Sequence, residues 1–274
     1  MKQSWIPRVL AAAVVVGFGI GAAMPAWADP ITLADLNTVA VFDPATVSIQ
    51  SDWFVDGQDY LREQGFWYRI GEAGGEQPLC AFGLIGATPK DTNGDGLFDR
   101  LALAYGRQSL LIDVVYVLAG GEPGSGGSAL VQTLTFRNTG PDPVALHFFQ
   151  YADFDLTVGS DRITILGGNT ARQESGPILL SETADTPYPD GYRAALAPAI
   201  RNSLGDTWPT VLGLVPGPVT GDATWAFQWD YDIAAGDTVG ISKVQNLQVP
   251  EPATLAFLGL GLAGLVIRRG RRGL

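Results

Sequence analysis

Leu130-Val131-Gln132-Thr133-Leu134-Thr135-Phe136-Arg137 is the stretch that decides the fold class. Leu130, Gln132, Leu134 and Phe136 alternate with Val131, Thr133, Thr135 and Arg137. A period of two places successive side chains on opposite faces of an extended backbone, so this is a strand with one inward face. The same alternation recurs upstream, where Leu101, Leu103 and Tyr105 are interleaved with Ala102 and Ala104. Residues 110–118 and 144–151 are apolar enough to read as strands buried on both faces. Between these runs fall turn signals: Asn93-Gly94, Asp95-Gly96, Gly120-Gly121, Gly167-Gly168-Asn169 and Pro189-Asp190-Gly191. Helical candidates are few. Residues 58–64 are one, and residues 194–204, which Pro198 interrupts, are the other. Short strands at turn-spaced intervals predict an all-β fold, an antiparallel β-sandwich of many short strands. The flexible stretch 122–128 lies too close to strand patterns to be a linker, and reads as a hairpin loop.

Composition narrows the function. The chain has 274 residues, 16% of them charged and 46% hydrophobic, with a formal net charge of −11. A chain this apolar buries a sizeable core. Its acidic balance argues against nucleic acid, whose phosphates call for basic patches. One Cys and one His exclude an internal disulfide framework and most zinc sites.

Both ends carry addresses. Lys2 and Arg8 precede an apolar run over residues 9–24, and Ala26-Trp27-Ala28 then places small residues at Ala26 and Ala28, where a signal peptidase reads. Residues 1–28 are therefore expected to be a signal helix, cleaved before Asp29. At the other end Val249-Pro250-Glu251-Pro252 is followed by an uncharged Leu- and Gly-rich stretch, residues 253–267, and by Arg268, Arg269, Arg271 and Arg272. As a helix that stretch is about 22 Å long, short of the roughly 30 Å hydrocarbon core. The arginines after it would stop translocation and stay cytoplasmic. Residues 249–274 thus read as a short C-terminal anchor segment with a hydrophobic helix, its body outside the cytoplasm, leaving 29–248 as the sandwich domain. That body keeps 11 basic and 27 acidic residues, a net charge near −16.

The order Val249-Pro250-Glu251-Pro252, Gly/Leu helix and Arg tail resembles the PEP-CTERM sorting signal. The resemblance is confined to this segment. It implies export in a Gram-negative bacterium, recognition by an exosortase-type membrane protease, and release or transfer to the outer surface or medium after transient anchoring. It also implies a setting in which exopolysaccharide is made.

Within the body, Asp91-Thr92-Asn93-Gly94-Asp95-Gly96-Leu97-Phe98-Asp99 reads D-x-N-x-D-G-x-x-D, the first nine positions of a calcium loop. Asp91, Asn93, Asp95 and Asp99, with the Leu97 carbonyl, supply five hard oxygens. The segment resembles the loops of dockerins and of thrombospondin-type calcium repeats, but Ala102 stands where an EF-hand has its bidentate acid. An affinity no better than about 10⁻⁴–10⁻³ M is expected. A plain hairpin turn also explains Asn-Gly and Asp-Gly.

Asp153/Asp155 and Asp230/Asp232 are i, i+2 pairs sharing strand faces, so they suit a glycosidase pair, metal ligands or simply a solvated face. The segments 149–156 and 227–233 also echo one another, as units in two halves of the sandwich would. His147 lies on a strand with no G-x-S-x-G elbow in the chain, so a core or sheet-face histidine satisfied by a hydrogen bond is expected. Cys80 reads as a buried thiol on an apolar strand. Trp67 and Tyr68 offer a stacking platform for sugars, whereas Trp225, Phe227 and Trp229, in one register, read as core.

Together these readings predict an exported cell-envelope or matrix protein, non-enzymatic, binding extracellular polysaccharide with calcium or serving as a structural component. The alternative is a secreted glycan-active hydrolase using an Asp pair.

Overall fold

The structure is a computed structural model that describes residues 29–157 and 161–250. The expected signal helix, with Ala26 and Ala28, lies outside the described residues, as do Glu251, Pro252, the C-terminal hydrophobic helix and the Arg tail. No helix among the described residues is long and apolar enough to cross a membrane.

Two sheets pack face to face. The first runs, in order of pairing, through Ile31–Asp35, Thr38–Phe42, Gln50–Val55, Leu61–Ile70, Val144–Phe154, Ala223–Ile233, Gly191–Leu196 and Leu214–Val215. The second runs through Val219–Gly221, Asp161–Leu166, Thr170–Ser175, Ile178–Thr186, Thr238–Gln248, Gly127–Asn138, Leu110–Gly120, Arg100–Arg107 and Leu84–Lys90. Neighbours are antiparallel except the last pair of the first sheet. The sandwich expected from the alternation is therefore the fold adopted.

In Gly127–Asn138, Leu130, Gln132, Leu134 and Phe136 are buried while their alternates are exposed or half-buried. Leu130, Leu134 and Phe136 meet Phe148, Trp225, Phe227 and Trp229 of the first sheet in one core. The chain over 122–126 is the hairpin loop joining Leu110–Gly120 to Gly127–Asn138. Val144–Phe154 is buried on both faces, since a six-residue helix, Ala199–Leu204, covers its outer side. Leu110–Gly120 is not: its burial alternates, and among the described residues no element covers that side of the second sheet.

Several local expectations are corrected. Residues 58–64 form no helix. They belong to the short strand Gln58–Asp59 and to Leu61–Ile70, which takes its backbone partners from Val144–Phe154. Residues 194–204 divide at Pro198, a strand ending at Leu196 and a helix starting at Ala199. Cys80 lies half-buried on a 3-10 turn, Leu79–Phe82, not on a strand. The echoed segments are adjacent strands of one sheet, and their phase is opposite: Phe149 packs under the helix, Phe227 between the sheets.

A polar layer crosses the core. Glu182 Oε1 accepts from Lys243 Nζ at 2.8 Å. Its Oε2 accepts from Gln245, Gln150 and Trp225 at 2.8, 3.2 and 3.3 Å. Gln245 also donates to Gln64 and accepts from Gln132. Burial lowers the Lys243 ammonium pKa, and Glu182 opposes that shift. The side chains come from both sheets, so the network ties one to the other.

Candidate metal centre

At one end of the first sheet, inter-strand register brings three carboxylates together. Along Val144–Phe154 the even positions 148, 152 and 154 enter the inter-sheet core, so Asp153 points to the outer face and Asp155 follows with the same phase. Asp153 lies opposite Thr224 of Ala223–Ile233. Asp222, two residues before Thr224, therefore emerges on the same side. Ligating atoms of Asp153, Asp155 and Asp222 lie within 4.8 Å of one another.

On the other flank the ladder pairs Asp153 with Glu63 and the next residue, Phe154, with Leu61. Arg62 is thus the extra residue of a β-bulge, a device that re-aims a side chain. Its guanidinium lies 3.8 Å from Asp153 and 4.0 Å from Asp155. With 66% of its side chain exposed, it neutralises them weakly.

Asp153 is only 3% exposed. Burial first, then repulsion from Asp222 and Asp155, pushes its carboxyl up to about 7, with Arg62 opposing. Asp155 is raised as well, chiefly by burial. Asp153 Oδ2 accepts from the Tyr151 hydroxyl at 3.3 Å, yet Oδ1 has no hydrogen-bond partner among the described residues. A buried acceptor left unpaired costs about 1–3 kcal/mol, and so does crowding carboxylates. A divalent cation held among the three acids would relieve their mutual repulsion. Three carboxylates without Cys or His suit a hard ion of the calcium, magnesium or manganese type. Beside them opens a cleft of about 320 Å³, lined by Ser51, Asp52, Asp59, Tyr60, Arg62 and Asp155.

Asp153 and Asp155 were legible as a pair in the sequence. Asp222 was not, because only register brings it near, and Arg62 was hidden inside a segment read as helix.

The other candidates fall elsewhere. In the loop at 91–99, Asp91 accepts the Gly94 and Gly96 amides at 2.6 and 2.9 Å. Asn93 accepts that of Asp95, and Asp95 that of Leu97. Asp99 takes both the amide and the hydroxyl of Thr92. The loop closes on itself as a series of Asx turns. Trp67 and Tyr68 are 1% and 3% exposed, so neither presents an open ring to a sugar. Trp67 packs beneath the helix with Arg201 4.8 Å above its ring, and Tyr68 lies edge-on against Phe82 in the core. Trp225, Phe227 and Trp229 are core, as their shared register predicts. His147 is hydrogen-bonded on a sheet face, its Nδ1 2.6 Å from Asp230, at the opposite end of the first sheet's outer side. Val249 and Pro250 follow the last strand directly.

Residues 248–272 match the family model of the PEP-CTERM protein-sorting motif. The chain carries this motif, which implies an exported protein sorted by an exosortase. No curated protein matches the chain. Among solved structures, an aldose 1-epimerase-type protein of Escherichia coli K12 is similar at a TM-score of 0.47 and 10% identity, over 80% of this chain and 98% of its own. A galactose mutarotase-like protein of Lactobacillus casei ATCC 334 gives 0.46 and 11%, over 80% and 100%. A polysaccharide lyase gives 0.44 and 11%, over 77% and 32%. Likeness at this level carries no functional weight.

Proposed function

We propose that this exported protein binds polysaccharide of the cell envelope or extracellular matrix, without turning it over, through a divalent cation held by Asp153, Asp155 and Asp222. Calcium is the cation favoured, since an exported protein meets it outside the cell and three carboxylates, of which Asp155 opens onto a cleft, suit its loose geometry. The observation that carries this reading is the convergence of three carboxylates within 4.8 Å, one of them Asp153, a side chain that is buried and keeps one oxygen without a partner among the described residues. The loop with Asp91, Asn93, Asp95, Leu97 and Asp99 is the rival calcium position on its oxygen spacing, and the same measurement decides between the two.

Thermal unfolding with calcium or with a chelator is the test. For a Kd of about 10⁻⁴–10⁻³ M, calcium at about 10 mM stabilises by about 1.4–2.7 kcal/mol, or roughly 3–8 °C in a domain of this size. The shift is expected in the wild type and in Asp95→Ala, and is lost in Asp222→Asn. The reverse pattern would move the cation to the loop at 91–99. No shift in the wild type would remove the cation altogether.

A hydrolase is the second reading, favoured by two neighbouring carboxyl groups, Asp153 and Asp155, the latter lining a cleft. Cleavage of the producing bacterium's own exopolysaccharide, lost in a folded Asp153→Asn, would establish it. Binding without cleavage would leave the first reading in place.

A further inference from the structure

We infer that the ligand completing this cation's shell is a neutral glycan presenting adjacent hydroxyl groups, not an acidic polymer; the inference rests on the cation reading above. Charge decides between the two classes. Asp52 and Asp59 line the cleft, and Glu63 and Asp161 lie close enough to act on Asp153 and Asp155. With the three ligands, seven carboxyl groups surround the site. Arg62 and Arg201 are the guanidinium groups beside them, and Arg201 is already engaged by Glu63 at 3.2 Å. One divalent ion leaves such a region net negative, on a body whose net charge is near −16. A uronate or sulfate approaching the cation would bring a further negative charge to within a few ångströms of these groups, where screening is weak.

Coordination points the same way. Calcium takes six to eight oxygens, and the three acids leave several positions open. Neutral hydroxyl oxygens fill them without added repulsion. The cleft wall is also rich in acceptors. Asp52 Oδ2 takes the Ser51 hydroxyl at 2.5 Å, and Asp59 Oδ1 takes the amides of Trp53 and Leu61 at 3.0 and 3.2 Å. Each carboxylate keeps a second oxygen for an incoming donor. A sugar hydroxyl donates to a carboxylate while its own oxygen faces the cation, whereas an ionised uronate carboxyl has no proton to donate.

The test is affinity electrophoresis of the purified protein through gels holding dextran, galactomannan or polygalacturonate, each with calcium or with EGTA, alongside the thermal shift above. Retardation by a neutral polysaccharide in calcium is expected, abolished by EGTA and in Asp155→Asn, with no retardation by polygalacturonate. Retardation by polygalacturonate alone would overturn the neutral-glycan inference and leave the cation site standing. An intact calcium shift with no retardation in any gel would also overturn it. Absence of the calcium shift itself would take down the cation reading, and this inference with it.

Discussion

Glu182 and Lys243 show how much one pair of residues does in this core. Both side chains are fully buried, and they arrive on adjacent strands of the second sheet. Desolvating two charges is repaid only when partners are complete, and here the Lys243 ammonium and three neutral donors complete the carboxylate. Lys243→Met is expected to destabilise by about 3–5 kcal/mol, since it leaves Glu182 buried without its counter-ion. The double variant Glu182→Gln/Lys243→Met is expected to recover most of that loss, and urea unfolding of the three proteins checks it. Equal stability of the single and double variants would mean that the charge of Glu182 is not the source of the loss. Part of this layer was legible. Gln132 stands in phase with Leu130 and Leu134, so alternation alone turns it inward. Glu182 as its centre was not legible, because a carboxylate gives no sign in sequence of the donors it will meet.

At the scale of elements, the hairpin loop over 122–126 holds the end of the last strand. Gly126 accepts from the Val249 amide at 2.8 Å, and its own amide donates to Asp56 at 2.9 Å. Its φ is +67°, and a Cβ there would collide with the Val249 carbonyl oxygen. Gly124, two residues away, has φ +84° and open space around it. Gly126→Ala is expected to cost about 1–3 kcal/mol from conformation alone, plus the collision. Gly124→Ala should show only the first part. Amide exchange at Val249 distinguishes them: faster in Gly126→Ala, unchanged in Gly124→Ala. The hairpin could be read from the Gly-rich run between two strand patterns. Its contact with Val249 could not, since more than a hundred residues separate them. The segment 58–64 failed for a related reason, because backbone pairing with a distant strand overrode its local helical preference.

For the whole molecule, the C-terminal motif marks an exported protein sorted by an exosortase, and the sandwich is the body it carries. Substituting Glu251→Ala in a host that has an exosortase is expected to leave the protein in the membrane fraction, with its Arg tail retained. Fractionation and intact mass read both. Release to the medium with the tail removed would show that the motif is dispensable. The sequence by itself determined the strand periodicity, the turns, the acidic balance and the C-terminal sorting motif, since each is set within a short stretch of chain or by composition. Only the tertiary structure decided which residues meet. Asp153 and Asp222 converge because antiparallel register sets Asp153 opposite Thr224, and Arg62 joins them because a bulge turns it toward them. Register depends on pairing across the whole sheet, a non-local sum that no window of sequence contains.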